Sequence, residues 1–209
     1  MDKKANQYIK NFLKHENNFL ESLEESNKLR NDVQPNIELE ALKLLVFIIK
    51  IKNVKTVLEL GTGTGYSAIS IASCLFENGG KITTVENHDR MFTEASQNIK
   101  NSGFSNTIEI IHEKIEVVLP QLIRKKEQFD LIFQDSGKYL YPLMVENCVK
   151  LCKKGGIIVA DDTLFKVNKN VRNGLGNYTD SYNKAVFSHK ELFSIILPIG
   201  DGLTLSYKK

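Results

Sequence analysis

The 209 residues are 42% hydrophobic and 25% charged, a make-up that suits a soluble globular protein with a sizeable core and excludes a disordered chain. A net charge of only +3 does not by itself demand a nucleic-acid partner, nor does it exclude an anionic substrate. The three cysteines, Cys74, Cys148 and Cys152, form no regular framework, which excludes a disulfide scaffold.

The opening MDKKANQYIK lacks the apolar stretch of a signal peptide. The longest apolar run, around Leu44–Ile49, is too short to span a bilayer. These features predict a reducing, cytoplasmic setting without membrane attachment. Within residues 2–30, Ile9, Phe12, Leu13, Phe19, Leu20 and Leu23 have the spacing of an amphipathic helix. Gln34-Pro35-Asn36 interrupts it, and 37–51 reads as a second helix carrying Leu39, Leu42, Leu45, Val46 and Ile49.

Strands and helices then alternate. Strands are predicted at 56–60, 81–86, 106–111, 129–133 and 157–160. Helices are predicted at 66–76, 89–101, 115–126 with a break near Pro120, and 139–152; Gly155-Gly156 reads as the turn into the fifth strand. Cys148 and Cys152 stand one helical turn apart, with no histidine or third cysteine near them in sequence, and are read as buried apolar thiols. A polar stretch at 166–184 precedes two strands, 192–197 and 203–207, joined by Gly200-Asp201-Gly202 as a hairpin. The pattern predicts one α/β domain over 1–209. Its sheet is a doubly wound, Rossmann-like one of seven strands, mostly parallel and closed by an antiparallel hairpin. Residues 1–36 form a helical extension, with a lid and a dimer contact both open as its role.

In such a sheet ligands bind beyond the carboxyl ends of the strands. The first end reads Glu59-Leu60-Gly61-Thr62-Gly63-Thr64-Gly65-Tyr66. Alternating glycines permit a tight turn and close backbone approach. A dinucleotide fingerprint needs glycine at 66, where tyrosine stands, so the turn fits S-adenosylmethionine (SAM) better than a pyrophosphate. Glu86 closes the second strand, where a carboxylate suits the vicinal hydroxyls of a ribose. Asp135 and the pair Asp161-Asp162 end the fourth and fifth strands. Three carboxylates brought together repel unless a cation neutralises them, and oxygen-only ligands suit Mg²⁺, Mn²⁺ or Ca²⁺. One of Asp161 and Asp162 is also expected to cap the turn that follows.

With these residues in view, the chain resembles the metal-dependent O-methyltransferases of the catechol and caffeoyl-CoA type, small bacterial members included. The matching stretches are Val57 to Ser67, Thr84-Val85-Glu86, Asp135-x-x-Lys138-x-x-Tyr141, Ala160-Asp161-Asp162 and Leu197 to Leu203. The resemblance implies a SAM pocket formed on its methionine side by Glu59, Gly61, Thr62, Gly63, Gly65, Tyr66 and Ser67. Glu86 would hold the ribose with Asn87 beside it, and His112, Glu113, Lys114 and Ile115 would border the adenine. Asp135 is shared between SAM pocket and metal; Asp161 and Asp162 complete the metal site, and Lys138 is the general base. Lys138 can take the acceptor's proton if burial and the nearby cation depress its own pKa toward neutrality. Asp161-Asp162 stands where the family usually has Asp-Asn, Phe165 where it often has tryptophan, and Ser136-Gly137 where bulkier pairs are usual. The long insertion of the plant enzymes is missing.

The implied activity is methyl transfer to a hydroxyl of a small catechol-like or phenolic acceptor, assisted by a divalent cation, and the family's habit implies a homodimer. Other readings stay open: a tRNA hydroxyuridine methyltransferase using Lys166, Lys169 and Arg172 on phosphate, a nicotinamide-dependent oxidoreductase, or a non-catalytic SAM-binding module.

Overall fold

The structure is a computed structural model that describes residues 8–9, 11–15, 17–168 and 173–209. Among these residues the chain runs α1 (Asn18–Lys28), α2 (Leu39–Ile51), β1 (Thr56–Leu60), α3 (Tyr66–Phe76), β2 (Lys81–Glu86), α4 (Asp89–Ser102) and β3 (Ile108–His112). It continues α5 (Ile115–Arg124), β4 (Phe129–Gln134), a 3₁₀ turn (Lys138–Leu140), α6 (Tyr141–Leu151), β5 (Cys152–Ala160), α7 (Asn173–Ser188), β6 (Leu192–Leu197) and β7 (Leu203–Lys208).

The seven strands lie in the order β3-β2-β1-β4-β5-β7-β6. Every pairing from β3 to β5 is parallel, and β7 is antiparallel to both β5 and β6. The hairpin therefore folds inward, with β7 between β5 and the edge strand β6. The expected seven-stranded, mostly parallel sheet with an antiparallel C-terminal hairpin is what forms.

Each face of the sheet buries its own core. Leu20 and Leu23 of α1, Leu42, Leu45 and Ile49 of α2, and Ile69 and Ile71 of α3 pack on one face with Val57, Leu131 and Val159. On the other, Val118, Leu119 and Leu122 of α5, Met144 and Cys148 of α6, and Tyr182 and Val186 of α7 cover Leu58, Ile132 and Ile158. Alternate residues of β1, β4 and β5 thus feed opposite cores, the mark of strands covered on both sides. Each fully buried leucine or isoleucine contributes roughly 1.5–3 kcal/mol of transfer free energy. No helix among the described residues is long and apolar enough to cross a membrane.

Several elements differ from expectation. Residues 8–9 are helical and 13–15 are not, and Asn17 starts α1 by accepting the Leu20 N–H at 3.0 Å, so the helix expected across 2–30 is interrupted before α1; residues 2–7, 10 and 16 of that span lie outside the described residues. Pro120 lies inside α5 without breaking it, because Val118, Leu119 and Leu122 hold that helix to the core. Gly155 and Gly156 sit within β5, which starts at Cys152, and the ladder with β4 shifts register between Phe129 and Leu131. Gly155 has φ +78°, and a Cβ on Gly156 would meet Cys152 Sγ at 2.7 Å, so this pair bends the strand. The polar stretch 166–184 carries most of α7, and the segment read as helix 139–152 divides into a 3₁₀ turn and α6. Cys148 and Cys152 are buried and unoxidised, and burial pushes the Cys152 thiol up to about 11.

Candidate active site

Register brings the chemistry together. Leu60 pairs with Gln134 and Gln134 with Ala160, so β1, β4 and β5 end level with one another. The ladder runs one residue further: Asp135 N donates to Leu60 O at 3.0 Å and Asp161 N to Gln134 O at 3.1 Å. Gly61, Asp135 and Asp161 therefore leave the sheet side by side. Strand order reverses between β1 and β4, with β2 on the far side of β1, and the first crevice of the sheet opens there.

The glycine turn is built for close approach. Gly61 has φ +101°, and a Cβ there would lie 2.3 Å from Asp135 O. Gly63 N donates to Glu86 Oε2 at 2.9 Å and His88 N to Glu86 Oε1 at 2.8 Å, which fixes that carboxylate at the end of β2 while leaving lone pairs for a ligand. Thr62 Oγ1 and Thr84 Oγ1 are 2.6 Å apart, and Thr84 Oγ1 donates to Glu59 Oε2. Glu59 is wholly buried, its Oε1 has no hydrogen-bond partner, and burial pushes its carboxyl up to about 8. A buried acceptor without a donor beside positive-φ glycines fits a cationic ligand such as SAM. Tyr66 and Ser67 open α3 and are buried.

Around the far end, His112 stacks on Phe92 with ring centroids 4.2 Å apart, and its Nε2 lies 3.1 Å from Asp89 Oδ1. Asn87, Glu113 and Lys114 are exposed, Glu113 accepting the Lys114 N–H at 2.7 Å, whereas Ile115 is buried in the core beneath α5.

Ligand oxygens of Asp135, Asp161 and Asp162 lie within 4.8 Å of one another. Lys138 Nζ donates to Asp135 Oδ1 at 3.1 Å and to the Tyr141 hydroxyl at 2.8 Å, and stands 2.8 Å from Asp162 Oδ2. Burial pushes the Asp161 carboxyl well above the usual range, and Asp135 and Asp162 add to it. Burial likewise raises Asp162, against the pull of Lys138. With all three carboxylates ionised, one ammonium leaves a deficit of two positive charges, and an oxygen-only donor set of that charge fits a hard divalent cation. Asp161 Oδ1 also accepts the Asp162 N–H at 2.9 Å, so the turn-capping part falls to Asp161. Asp162 has φ +61°, a left-handed conformation that asparagine and aspartate tolerate.

The side chains by themselves do not depress the Lys138 pKa. Burial alone lowers it, but Tyr141, Asp135 and Asp162 surround Nζ and hold the proton well above the ordinary lysine range. Residues outside the sequence motifs support the turn. Asn27 Nδ2 of α1 donates to Thr64 Oγ1 at 2.7 Å and to Asn36 Oδ1 at 3.1 Å, and Asn98 Nδ2 of α4 donates to Thr64 O at 2.9 Å. These contacts span 37 and 34 residues from Thr64, and no local pattern signals them. Lys169 and Arg172 lie outside the described residues, and Lys166 Nζ donates to Asn177 Oδ1 at 2.6 Å.

A family model described as O-methyltransferase matches residues 11–209. The chain belongs to the O-methyltransferase family. A catechol O-methyltransferase of Niastella koreensis is 33% identical, over 75% of this chain and 71% of that protein. A caffeoyl-CoA O-methyltransferase of Populus kitakamiensis is 30% identical, over 78% of this chain and 74% of that one. The crystal structure of an O-methyltransferase from Bacillus cereus, solved with SAH, shares the fold at a TM-score of 0.84, with 23% identity over 99% of this chain and 97% of that one. The protein is thus a SAM-dependent O-methyltransferase of the caffeoyl-CoA and catechol type. The glycine turn and the aspartates of the methyltransferase leave adjacent strand ends.

Proposed function

We propose that this methyltransferase moves the methyl group of SAM to one oxygen of a small catechol-like acceptor, with Lys138 as the base and a divalent cation held by Asp135, Asp161 and Asp162. The observation that carries this reading is the contact of Lys138 Nζ with both Asp135 and Asp162, directly beside Gly61 of the glycine turn. The SAH in the Bacillus cereus neighbour and the acceptors named for the two relatives support it.

A divalent cation in the cluster supplies charge that lowers the pKa of an acceptor hydroxyl. Asp135 joins the two halves of the site, since its backbone oxygen touches Gly61 while its side chain reaches Lys138. Gly61 and Gly63 let the chain approach the methyl donor, and Glu86 presents its free lone pairs to the ribose. Glu59, protonated when no ligand is bound, turns its carboxyl to the donor's cationic end, and a cation there favours its ionised form. Tyr66 and Ser67 close the floor. Asn87, His112, Glu113, Lys114 and Ile115 flank the adenine. Lys138 takes the acceptor's hydroxyl proton at Nζ; carboxylates whose charge is shared with a cation hold its own proton less firmly. Alignment of the acceptor oxygen with the methyl–sulfur bond then provides much of the acceleration.

The test is transfer of label from [methyl-³H]SAM to 3,4-dihydroxybenzoate in the presence of Mg²⁺. Product is expected, its formation stops with EDTA and returns with excess Mg²⁺. Undiminished transfer after exhaustive chelation overturns the metal-assisted mechanism, and labelling of bulk tRNA in place of the phenol overturns the acceptor class.

A further inference from the structure

Lys138 is held on three sides, and one of its three partners lies outside the acidic cluster. That partner is Tyr141, whose hydroxyl accepts from Nζ at 2.8 Å. Tyr141 is fully buried at the first turn of α6, and its ring meets Tyr182 edge-on at 5.4 Å and 70°. Its hydroxyl donates to Gln134 O, the last carbonyl of β4, at 2.8 Å. A phenol has one proton, so with that proton committed to Gln134 the oxygen can only accept from the lysine. The chain Lys138 to Tyr141 to Gln134 O ties the end of a long, flexible side chain to the rigid sheet.

We infer that Tyr141 is a positioning residue for methyl transfer: its hydroxyl oxygen anchors Lys138 Nζ so that the nitrogen's remaining lone pair faces the acceptor oxygen. The inference rests on Lys138 acting as the base. A neutral amine keeps two N–H donors and one lone pair, and the direction of the lone pair follows from where the two donors go. Asp135 and Asp162 are shared with the cation site and can be drawn away from the lysine. Among the described residues the Tyr141 hydroxyl bonds to Lys138 and Gln134 alone, so it fixes one N–H whatever the carboxylates do. Small errors of placement at a reacting atom are costly.

Tyr141→Phe keeps the ring, its volume and the contact with Tyr182, and removes only the hydroxyl. With Mg²⁺ and 3,4-dihydroxybenzoate, kcat is expected to fall about two- to tenfold, the range for losing a hydrogen bond between neutral groups, while KM for SAM stays unchanged. In a Lys138→Ala background the same substitution is expected to cost nothing further. A ¹³Cε-lysine NMR spectrum of the protein without substrate is expected to show the Lys138 signal displaced in Tyr141→Phe and the other lysines unmoved. Wild-type kcat in Tyr141→Phe beside an impaired Lys138→Ala overturns the inference and leaves the base in place. So does a double variant whose loss is the product of the two single losses, or an unmoved Lys138 signal. Wild-type kcat in Lys138→Ala overturns the base itself.

Discussion

Glu59 is a carboxyl with no water and half its acceptors idle, and that makes it a proton store. Its folded-state pKa is pushed up to about 8 from an ordinary 4.5. Between those values the folded protein holds a proton that the unfolded chain has already released. Rising pH therefore favours unfolding across the window, by at most about 1.4 kcal/mol per pH unit. Asp161 and Asp162 are raised too and tilt the curve the same way, so the difference between variant and parent isolates Glu59. Urea midpoints of the ligand-free protein at pH 5, 6.5 and 8 should fall with pH, and Glu59→Gln should fall less steeply. Parallel slopes in the two proteins would remove Glu59 from the account. The position of this residue was legible, because an acid after an apolar strand and before alternating glycines has few other uses. Its proton was not, because that depends on how completely Ser67, Thr84 and the two cores seal it.

At the scale of elements, α1 shows what local pattern misses. Its apolar residues Leu20 and Leu23 were readable as a buried stripe. What fixes the helix over the glycine turn is Asn27, whose amide reaches Thr64 and Asn36, together with the pairing of Arg30 with Glu94 on α4. Asn27→Ala is expected to cost about 1 kcal/mol of stability rather than the sum of two buried hydrogen bonds. The reason is that the buried, unpartnered Asn27 Oδ1 disappears as well. The same change should weaken SAM binding several-fold by freeing Thr64, since a buried polar contact of this kind is worth about 1 kcal/mol. Urea denaturation and calorimetry of SAM binding check both numbers, and unchanged SAM affinity would separate α1 from the cofactor site. The helix α7 was illegible for a related reason. Gly174, Gly176 and Asn177 are poor helix formers, and the helix is held by Tyr182 and Val186 in the core and by Asn183 Nδ2 on Thr163 O at 2.8 Å. Gly176 is there for contact: a Cβ would lie 2.9 Å from Lys166 Cα. The Gly155-Gly156 pair misled in the opposite direction, since glycine marks a strand bend and a chain reversal alike and only the pairing partner decides.

For the molecule as a whole, the strand order turns a scattered set of acids into one charge. Asp135 and Asp161 are 26 positions apart in the chain and adjacent in the sheet because β4 and β5 pair in register. That convergence was legible from strand ends alone, whereas the inward fold of β7 beside β5 was not, because both hairpin strands have the same apolar character. The three aspartates lie together only in the folded state and are dispersed on unfolding, so a cation that needs all of them binds only the folded protein. Such a ligand stabilises by RT ln(1 + [L]/Kd), about 2.7 kcal/mol at a hundredfold excess over Kd. For a chain of this size that corresponds to a rise in Tm on the order of 5 to 10 °C. Mg²⁺ or Mn²⁺ should therefore raise Tm with a logarithmic dependence on concentration. KCl of equal ionic strength should not, because screening acts weakly on buried charge. Asp161→Asn should abolish the cation-dependent rise while leaving the metal-free protein folded, since burial already disfavours the charge it removes. A rise that persists in Asp161→Asn would place the cation elsewhere, and a flat response in the parent protein would leave Lys138 as the cluster's sole counter-ion.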